Sequence, residues 1–455
     1  MTKPTLPQGT RDFSAQTIYK RNFILNSIKE TFLLYGFEPL ETPALENLET
    51  LMGKYGDEGD KLIFKILNNG LNDAKNIEKA QKGFDELMKG KASVALTERA
   101  LKYDLTIPFA RYVAMNHGQL TFPYKRFQIQ QVWRADRPQR GRYREFTQCD
   151  ADIAGSKSLW NEVEFANIYH TAFTKMGLKD YKLKVNNRKI LAGLAEKCGG
   201  ENLLGKITVA IDKIDKVGLD KILEELKEKD FRQHQLDIVK SYLSIKGSNN
   251  EVLANGLAFF KGIAVAEEGL SELAFVTEKC TNVNISIDLS LARGLNYYTG
   301  IIFEAAAPDT VKMGSIGGGG RYDDLTGLFG VSGIAGVGIS FGVDRIYDVL
   351  EELNIFPEGI LATSKALFFN MGNEEAAHAF TLMQHVRQAQ IACELYHETV
   401  KMDKQFKYAQ KKGILFAIII GSKEVNEKSC VVKDLMNGTQ ETINETELTE
   451  YLRTH

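Results

Sequence analysis

The spacing of apolar residues predicts an amphipathic helix near the start of the chain and a strand after it. Between residues 14 and 35 the apolar positions recur at helical spacing on one stripe, whose members are Leu25, Ile28, Phe32 and Tyr35. Ser14 suits the N-cap of this helix and Gly36 its C-terminal stop. A strand is expected to follow, from Phe37 through Leu40 to Pro43.

The stretch from residue 122 to residue 155 predicts a strand, a polar loop and a returning strand. On the returning strand, the period of two places one polar set on a single face: Arg144, Phe146, Gln148, Asp150 and Asp152. Because a core-facing strand would not carry two carboxylates, an amide and an arginine, this face predicts the wall of a polar site. The solvent-exposed side of an antiparallel sheet is the alternative.

The middle of the chain changes to a helical pattern and then returns to strands. Helical periodicity over 218–229 and 233–245 indicates an inserted helical domain. Alternating apolar residues over 284–291 and 298–305 predict two strands, which a turn at 293–296 would join.

The last part of the chain has the pattern of a separate small domain. A glycine-dense stretch leads into a predicted helix over 343–353, and residues 354–365 read as a linker because they include Pro357 and Gly359. Beyond the linker, strand-like and helical segments alternate, which predicts a small α/β domain over 366–455. Residues 68–91 are rich in Asn, Gly, Lys and Glu and predict a peripheral insertion without chemistry of its own.

Composition places the chain among ordinary globular proteins. Its 455 residues, 44% hydrophobic and 25% charged, suggest about three domains. The longest apolar runs are far shorter than the ~20 residues of a membrane helix, and residues 1–9 carry no export signal. A cytoplasmic location without a membrane partner is therefore expected. The five cysteines are single and the seven histidines dispersed, so neither a disulfide framework nor a protein-bound structural metal is expected.

Positive charge is concentrated in one segment. A net charge of -2 argues against non-specific coating of nucleic acid. Residues 123–145 nevertheless hold seven basic side chains against two acidic ones, the basic set being Lys125, Arg126, Arg134, Arg137, Arg140, Arg142 and Arg144. This concentration indicates either an anion-binding site or a solvated charged face.

The nucleotide-binding motifs of other protein classes do not fit this chain. None of its Gly-Lys pairs is followed by Ser or Thr, as a P-loop requires. What remains is a set of arginines near glycines or aromatics, without an obvious nucleophile or acid–base pair: Arg134, Arg144, Arg293 and Arg345. Such a set suits phosphoryl or nucleotidyl transfer, in which preorganised donors stabilise charge on a phosphate.

Four segments carry recognisable motifs in a fixed order. They are QVWRADRPQRGRYREFTQCD at 131–150, LARGLNYYTGIIFE at 291–304, GGGGRYDDL at 317–325 and GVGISFGVDRI at 336–346. The first is similar to motif 2 and the last to motif 3 of class II aminoacyl-tRNA synthetases, and Pro43 stands where motif 1 has its proline. The two middle segments resemble the signatures of the histidyl-tRNA synthetase family.

This resemblance implies an α+β fold with a class II antiparallel-sheet catalytic core. The core is expected over 1–186 and 281–353, around a helical insertion domain at 187–280. The linker at 354–365 would lead to an α/β anticodon-binding domain at 366–455. A homodimer built through motif 1 is also implied.

The implied activity is the ATP-dependent attachment of L-histidine to its tRNA. Histidyl-adenylate is the implied intermediate, and AMP and pyrophosphate are the released products. ATP would be a substrate accompanied by Mg²⁺, and the tRNA for histidine would be the macromolecular partner.

The resemblance also assigns residues to each substrate. Arg293 and Arg134 are the implied catalytic residues. The implied ATP-binding residues are Arg134, Asp136, Arg142, Arg144, Phe146 and Arg345. The implied histidine-binding residues are Asp104, Leu105, Thr106, Gln148, Asp152, Arg293, Tyr297, Tyr298 and Tyr322. Contacts with tRNA are expected from the motif 2 loop and from a C-terminal lysine stripe, through Arg137, Gln139, Arg140, Lys404, Lys407 and Lys411.

Two other functions are open at this point. A synthetase-like regulatory subunit of ATP phosphoribosyltransferase would bind histidine without charging tRNA, and a synthetase for another amino acid would share the class II motifs. The retained arginines argue against the first, and the segment around Arg293 argues against the second. The lysine stripe also has a simpler interpretation as a solvated helix face.

Overall fold

The computed structural model describes residues 3–90, 93–292, 297–357 and 364–455. The chain divides into two compact units, Met1–Phe356 and Pro357–His455.

The first unit is built from helices and strands in alternation. Its helices are α1 Ala15–Leu34, α2 Leu48–Leu51, α3 Gly56–Lys61, α4 Ile77–Met88, α5 Thr106–Asn116, α6 Trp160–Lys175, α7 Arg188–Lys197, α8 Leu204–Ile211, α9 Ile214–Val217, α10 Leu219–Glu228, α11 Gln233–Leu243, α12 Asn249–Phe259, α13 Ala264–Lys279 and α14 Val343–Glu352. Its strands are β1 Glu38–Pro39, β2 Leu45–Asn47, β3 Lys65–Ile66, β4 Arg99–Leu101, β5 Tyr124–Trp133, β6 Glu145–Ala154, β7 Lys182–Asn187, β8 Ile285–Ile287, β9 Ile301–Ala306, β10 Ser315–Tyr322 and β11 Gly336–Gly342.

An eight-stranded sheet organises this unit, in the order β1-β5-β6-β11-β10-β9-β7-β8. The strands from β5 to β7 in that order pair antiparallel, whereas β1 pairs parallel with β5 and β8 parallel with β7. The α+β class is confirmed, and the predicted antiparallel core corresponds to the central strands. A separate three-stranded sheet has the order β2-β4-β3.

Helix α1 packs one face of the large sheet. Ile24, Ile28 and Phe32 are fully buried, and the Phe32 ring lies 5.5 Å from Phe127 of β5 and 5.8 Å from Phe341 of β11, between centroids. The predicted helix is confirmed, including its cap: the Ser14 hydroxyl accepts a hydrogen bond from the Thr17 amide at 3.3 Å. Gly36 ends the helix with φ of +74°.

The strand expected over residues 37–43 is shorter than the pattern suggested. Only β1, Glu38–Pro39, is extended and paired there. The amide of Leu40 still donates to the carbonyl of Phe127 at 2.9 Å, but pairing ends at that point.

The two strands expected around the turn at 293–296 do not form a hairpin. β7 lies between them in the sheet, antiparallel to β9 and parallel to β8. Local spacing does not predict this arrangement, because β7 lies about a hundred residues earlier in the chain, before the helical segment. The turn itself lies outside the described residues.

Helices α7 to α13 follow β7 and share a core with the sheet. Side chains of this segment, such as Leu194 and Leu273, belong to the same buried cluster as Val185 of β7. Asn187 ends β7 and caps α7, its side chain accepting from the Lys189 amide at 3.0 Å. The expected insertion contains α4 within its described residues, 68–90.

The second unit contains a five-stranded mixed sheet in the order β13-β12-β14-β15-β16. Its strands are β12 Ala366–Phe368, β13 Cys393–Leu395, β14 Phe416–Ile419, β15 Ser429–Asp434 and β16 Gln440–Asn444, and its helices are α15 Asn373–Gln388, α16 Met402–Lys412, α17 Ser422–Glu427 and α18 Leu448–Thr454. Strands β12 to β14 alternate with helices as the sequence predicts, whereas β15 and β16 follow one another without a helix between them. In the described parts of both units, no helix is long and apolar enough to cross a membrane.

Candidate active site

The face of the large sheet opposite α1 carries the polar residues. On β6, Cys149, Ala151 and Ile153 are buried in the core cluster, so Gln148, Asp150 and Asp152 point to the other side. Asp150 pairs in register with Ser340 of β11, and Asp152 with Gly338. The alternation read from the sequence therefore corresponds to the geometry.

Two adjoining cavities open on this face. The smaller, of about 370 Å³, is lined by Asp104, Thr106, Arg134, Gln148, Asp150, Asp152, Tyr297, Tyr298, Gly318, Gly319, Tyr322, Gly338, Ile339 and Ser340. The larger, of about 1030 Å³, is lined by Arg134, Asp136, Gly141, Arg142, Tyr143, Phe146, Gln148, Tyr298, Ser315, Ile316, Gly317, Gly318, Ser340, Gly342, Val343, Asp344 and Arg345. Because both include Arg134, Gln148 and Tyr298, the cavities share one wall.

Asp152 lies in the smaller cavity between a phenol and an arginine. The Tyr322 hydroxyl donates to its Oδ1 at 2.6 Å, and Arg126 Nη2 lies 2.7 Å from its Oδ2 in an ion pair. Arg126 sits directly opposite Asp152 on β5 and is fully buried. Burial raises the pKa of the Asp152 carboxyl, and Arg126 and Tyr322 act in the opposite direction.

Asp104 enters the same cavity from the start of α5. Its Oδ1 accepts from the Tyr55 hydroxyl at 3.0 Å and from the Ile107 amide at 3.1 Å. Its Oδ2 is buried without a hydrogen-bond partner among the described residues. Burial raises the pKa of this carboxyl, whereas the Ile107 amide and Arg134 lower it. A buried carboxylate oxygen that faces a cavity is suited to a ligand that donates hydrogen bonds.

Arg134 is held at the junction of the two cavities. Its Nε donates to the Tyr103 carbonyl at 3.0 Å. The guanidinium lies 4.3 Å from the Tyr103 ring centroid and 5.2 Å from that of Phe146. Two aromatic faces and one carbonyl thus fix a cation between the cavities, where it can contact anionic groups in both.

Arg345 of α14 is fixed by backbone carbonyls at the edge of the larger cavity. It donates to Gly141 at 2.9 Å and to Ser315 at 2.6 Å. Phe146 lines the same cavity from β6, so a ring and a planar guanidinium both face its interior. Asp136 lies 3.7 Å from Arg142 across the loop.

The glycines of β10 and β11 make room beside these side chains. A Cβ at Gly338 would clash with Asp152 Oδ1, and one at Gly319 would clash with the carbonyl of Gly338. Only residues without a side chain permit this approach, so the glycine-dense stretch is part of the cavity wall.

Most of the expected substrate-binding residues line these cavities, whereas Leu105 and Arg144 do not. Leu105 is buried outside both linings, and its carbonyl accepts from Arg126 at 3.2 Å. Arg144 was expected at ATP, yet it precedes β6 and donates to the Asp136 carbonyl at 3.1 Å and toward that of Gln8 at 3.5 Å. This guanidinium therefore links the N-terminal segment to the loop, and its role in binding ATP stays a prediction. Arg293 lies outside the described residues.

The loop between β5 and β6 ends in a tight turn. Gln139 and Arg142 exchange backbone hydrogen bonds at 3.1 and 2.9 Å, and Gly141 has a φ of +68°. Arg137 and Gln139 are exposed. Arg140 pairs with Glu352 of α14 at 2.5 Å, and this carboxylate raises the pKa of the guanidinium.

The lysine stripe lies in the second unit. Its members are the exposed α16 lysines Lys404, Lys407 and Lys411. Lys404 Nζ lies 3.9 Å from Glu398 Oε2.

Several site residues were not assigned from the sequence. Asp150 and Ser340 line the smaller cavity, and Tyr143 and Asp344 the larger one. The alternation on β6 pointed to Asp150, but Arg126 was counted only as part of a basic run. Across the described ranges, no group of three or more His, Cys, Asp or Glu side chains is arranged to hold a metal ion.

Comparison with known proteins agrees with this geometry. The family model described as histidyl-tRNA synthetase matches residues 77–346, and one described as an anticodon binding domain matches residues 365–455. The histidine--tRNA ligases of Christiangramia forsetii and Flavobacterium johnsoniae are each 48% identical to this chain, and 96% of the chain is covered in both comparisons. Coverage of the relatives themselves is 96% and 97%.

Solved structures give the same picture. A histidyl-tRNA synthetase from Nostoc has a TM-score of 0.82 at 29% identity, with all of both chains covered. A protein described as an ATP phosphoribosyltransferase regulatory subunit/histidyl-tRNA synthetase from Bacillus halodurans shares the fold, with a TM-score of 0.73 at 20% identity over 92% of this chain and 100% of its own. A fold of this kind with two cavities joined at an arginine is that of a class II aminoacyl-tRNA synthetase. The chain belongs to the histidyl-tRNA synthetase family.

Proposed function

We infer that this protein is a histidine--tRNA ligase. It joins L-histidine to its tRNA with ATP, through histidyl-adenylate, and releases AMP and pyrophosphate. The observation that carries this inference is the pair of cavities that meet at Arg134: a small polar one sized for an amino acid and a larger one with an aromatic and a guanidinium wall.

The smaller cavity would bind histidine through both nitrogens of its imidazole ring. A neutral imidazole has one donor and one acceptor nitrogen. Asp152, oriented by Tyr322, would accept from the N–H, and the phenol of Tyr298 would donate to the other nitrogen. Another amino acid would leave these buried groups unpaired, at a cost of about 1–3 kcal/mol each. Polar recognition of this kind can discriminate by roughly 10⁴–10⁵ without an editing step.

The backbone end of the substrate would lie toward the shared wall. Asp104 and Thr106 would bind the α-ammonium group, with Gln148 assisting, and Tyr297 would support Thr106 through their hydrogen bond. The substrate carboxylate would then point to Arg134.

ATP would occupy the larger cavity as its magnesium complex. Phe146 and Arg345 would sandwich the adenine, with Asp136 near its exocyclic amine and Arg142 toward the outer phosphates. Both faces of such a sandwich attract a base by stacking and cation–π contacts.

Adenylate formation would need positioned charge and no general base. A carboxylate oxygen of histidine attacks the α-phosphorus and forms a C–O–P bond, while the bond to the pyrophosphate oxygen breaks. The attacking group is already an anion. Arg134, and Arg293 by the family resemblance, would stabilise the charge that accumulates on the α-phosphate.

The remaining parts of the chain would serve the tRNA. We assign the catalytic core to residues 1–186 and 281–353 and the helical insertion domain to residues 187–280. A linker at 354–365 would lead to the anticodon-binding domain at 366–455. Arg137 and Arg140 would contact phosphates at the acceptor end and Gln139 a base edge, while the α16 lysines would approach the anticodon stem. We further propose a homodimer through the region of Pro43 and a cytoplasmic location, where its tRNA is used.

Pyrophosphate exchange with each of the twenty amino acids tests this proposal, followed by charging of tRNA. Exchange that depends on histidine alone, together with charging of the histidine tRNA, is the expected result. Histidine binding without exchange would replace the proposal with a regulatory role, and exchange with another amino acid would reassign the specificity.

A further inference from the structure

The smaller cavity holds three carboxylates, and they differ in how their charge is compensated. Asp152 has an arginine and a phenol. Asp104 has a phenol and a backbone amide on Oδ1, while its Oδ2 has no hydrogen-bond partner among the described residues. Asp150 has a hydrogen bond with the Ser340 hydroxyl. Its Oδ1 has no partner among the described residues, although the residue is only 3% exposed and lines the cavity.

A buried carboxylate with an unpaired oxygen is costly in the free protein. The group that completes it must donate hydrogen bonds and, by preference, carry positive charge. Of the three polar parts of histidine, the carboxylate would be repelled and the neutral imidazole already has Asp152. The α-ammonium group is the remaining cationic donor, and its three N–H bonds allow it to contact Asp150 as well as Asp104.

The order of residues along β6 gives the same answer. Gln148 lines both cavities and lies toward the ATP end, whereas Asp152 is at the imidazole end. Asp150 lies between them on the same face, where the proposed orientation of histidine would place its α-carbon.

We propose that Asp150 is a substrate-binding residue whose Oδ1 accepts a hydrogen bond from the α-ammonium group of histidine. This role deepens the proposed function and rests on it.

The charged groups around Asp150 indicate that its carboxyl loses a proton when the ammonium group of the substrate binds. Burial is the main cause that raises the pKa of its carboxyl to about 7, and Asp152 and Asp104 add to the rise while Arg126 and Ser340 oppose it. Lys102, Tyr169 and Tyr298 also interact electrostatically with Asp150. Burial lowers the pKa of Lys102 to about 8 and raises the pKa of both phenols. Entry of the ammonium group therefore displaces the proton of Asp150 to solvent.

The test is Asp150→Asn, which keeps the shape and removes the charge. Two competitive inhibitors of histidine-dependent pyrophosphate exchange separate the contacts: histidinol, which keeps the ammonium group, and imidazole propionate, which lacks it. We expect inhibition by histidinol at pH 8 to weaken roughly tenfold to a hundredfold. Inhibition by imidazole propionate and the KM of ATP stay within twofold. Below pH 6 the variant and the unaltered protein should differ less in their inhibition by histidinol, because Asp150 of the unaltered protein is then protonated.

Stability gives an independent readout. A carboxyl whose folded pKa is raised loses stability as pH rises from its unfolded value near 4 to about 7, because the native state holds the proton longer. Without ligand, the Asp150→Asn variant should therefore have a higher melting temperature than the unaltered protein. This difference in melting temperature should be larger at pH 8 than at pH 5. Asp348→Asn is the matched control, since Asp348 also has a raised pKa and an unpaired buried oxygen but lines neither cavity.

Equal inhibition by histidinol in Asp150→Asn and the unaltered protein at pH 8 would overturn the proposal. So would an equal loss for both inhibitors, because the contact would not then involve the ammonium group. If the unaltered protein showed no exchange with histidine, the proposed function would fall and this inference with it.

Discussion

Replacing Tyr322 with phenylalanine separates the imidazole contact from the rest of the site. The phenol donates to Asp152 Oδ1 at 2.6 Å, and both side chains are buried. Without the Tyr322 hydroxyl, Asp152 Oδ1 loses this hydrogen bond, while Arg126 still pairs with Asp152 Oδ2. Asp152 then turns toward Arg126 or takes up a proton, and either change weakens its bond to the imidazole.

The size of the effect follows from the charge on the acceptor. A hydrogen bond to a charged group contributes about 1.5–3 kcal/mol, and each 1.4 kcal/mol corresponds to a factor of ten. We expect the KM for histidine to rise roughly 10- to 150-fold in Tyr322→Phe. The KM for ATP should stay within twofold, because Tyr322 lines only the smaller cavity.

Pyrophosphate exchange at saturating ATP measures this change, and Tyr242→Phe is the matched control. Tyr242 is equally buried and donates to the Leu289 carbonyl at 2.7 Å, away from both cavities. Its loss should lower stability by about 1 kcal/mol and leave both KM values unchanged. If Tyr322→Phe lowered stability like the control but kept the wild-type KM for histidine, our account of Asp152 would be wrong.

Three further changes probe other parts of the molecule. Arg126→Met should cost about 3–5 kcal/mol of unfolding free energy in urea titrations, because it leaves Asp152 buried without its ion pair; an unchanged midpoint would contradict this. Gly338→Ala should abolish histidine-dependent exchange while fluorescence titration still detects ATP binding, since the new methyl group clashes with Asp152. Alanine can also replace three α16 lysines together: Lys404, Lys407 and Lys411. The slope of log K for tRNA binding against log salt concentration should then become shallower by up to ~0.7–0.9 per lost phosphate contact. An unaltered slope would favour a solvated helix face.

The alternation of side chains along a strand made the site wall predictable. Local spacing alone places Gln148 and Asp152 on one face, and the structure has them there. Pairing between distant strands was not predictable in the same way. β7 lies between β8 and β9 in the sheet, whereas the sequence predicts that a turn joins those two strands. No local pattern encodes a neighbour that arrives from the other side of a long helical segment.

The role of a charged residue depends on which partner the fold brings to it. Arg144 has the parity of the site face, yet the chain leaves strand geometry at that position and its guanidinium binds backbone carbonyls. Arg126 was part of the same basic run, but the register of β5 with β6 places it against Asp152. Asp150 has the correct parity as well, and its significance comes from a buried oxygen without a hydrogen-bond partner among the described residues, which only the packed structure reveals.

The basic segment 123–145 is therefore not one patch. Lys125 pairs with Glu164 and Arg140 with Glu352, and Arg126 is buried against Asp152. These three cations are already compensated within the chain. Arg134, fixed between two rings at the junction of the cavities, is positioned for the α-phosphate in the proposed reaction. The positive charge counted along the sequence consequently overstates the charge available to a nucleic acid, and a tRNA phosphate that binds Arg140 must first compete with Glu352.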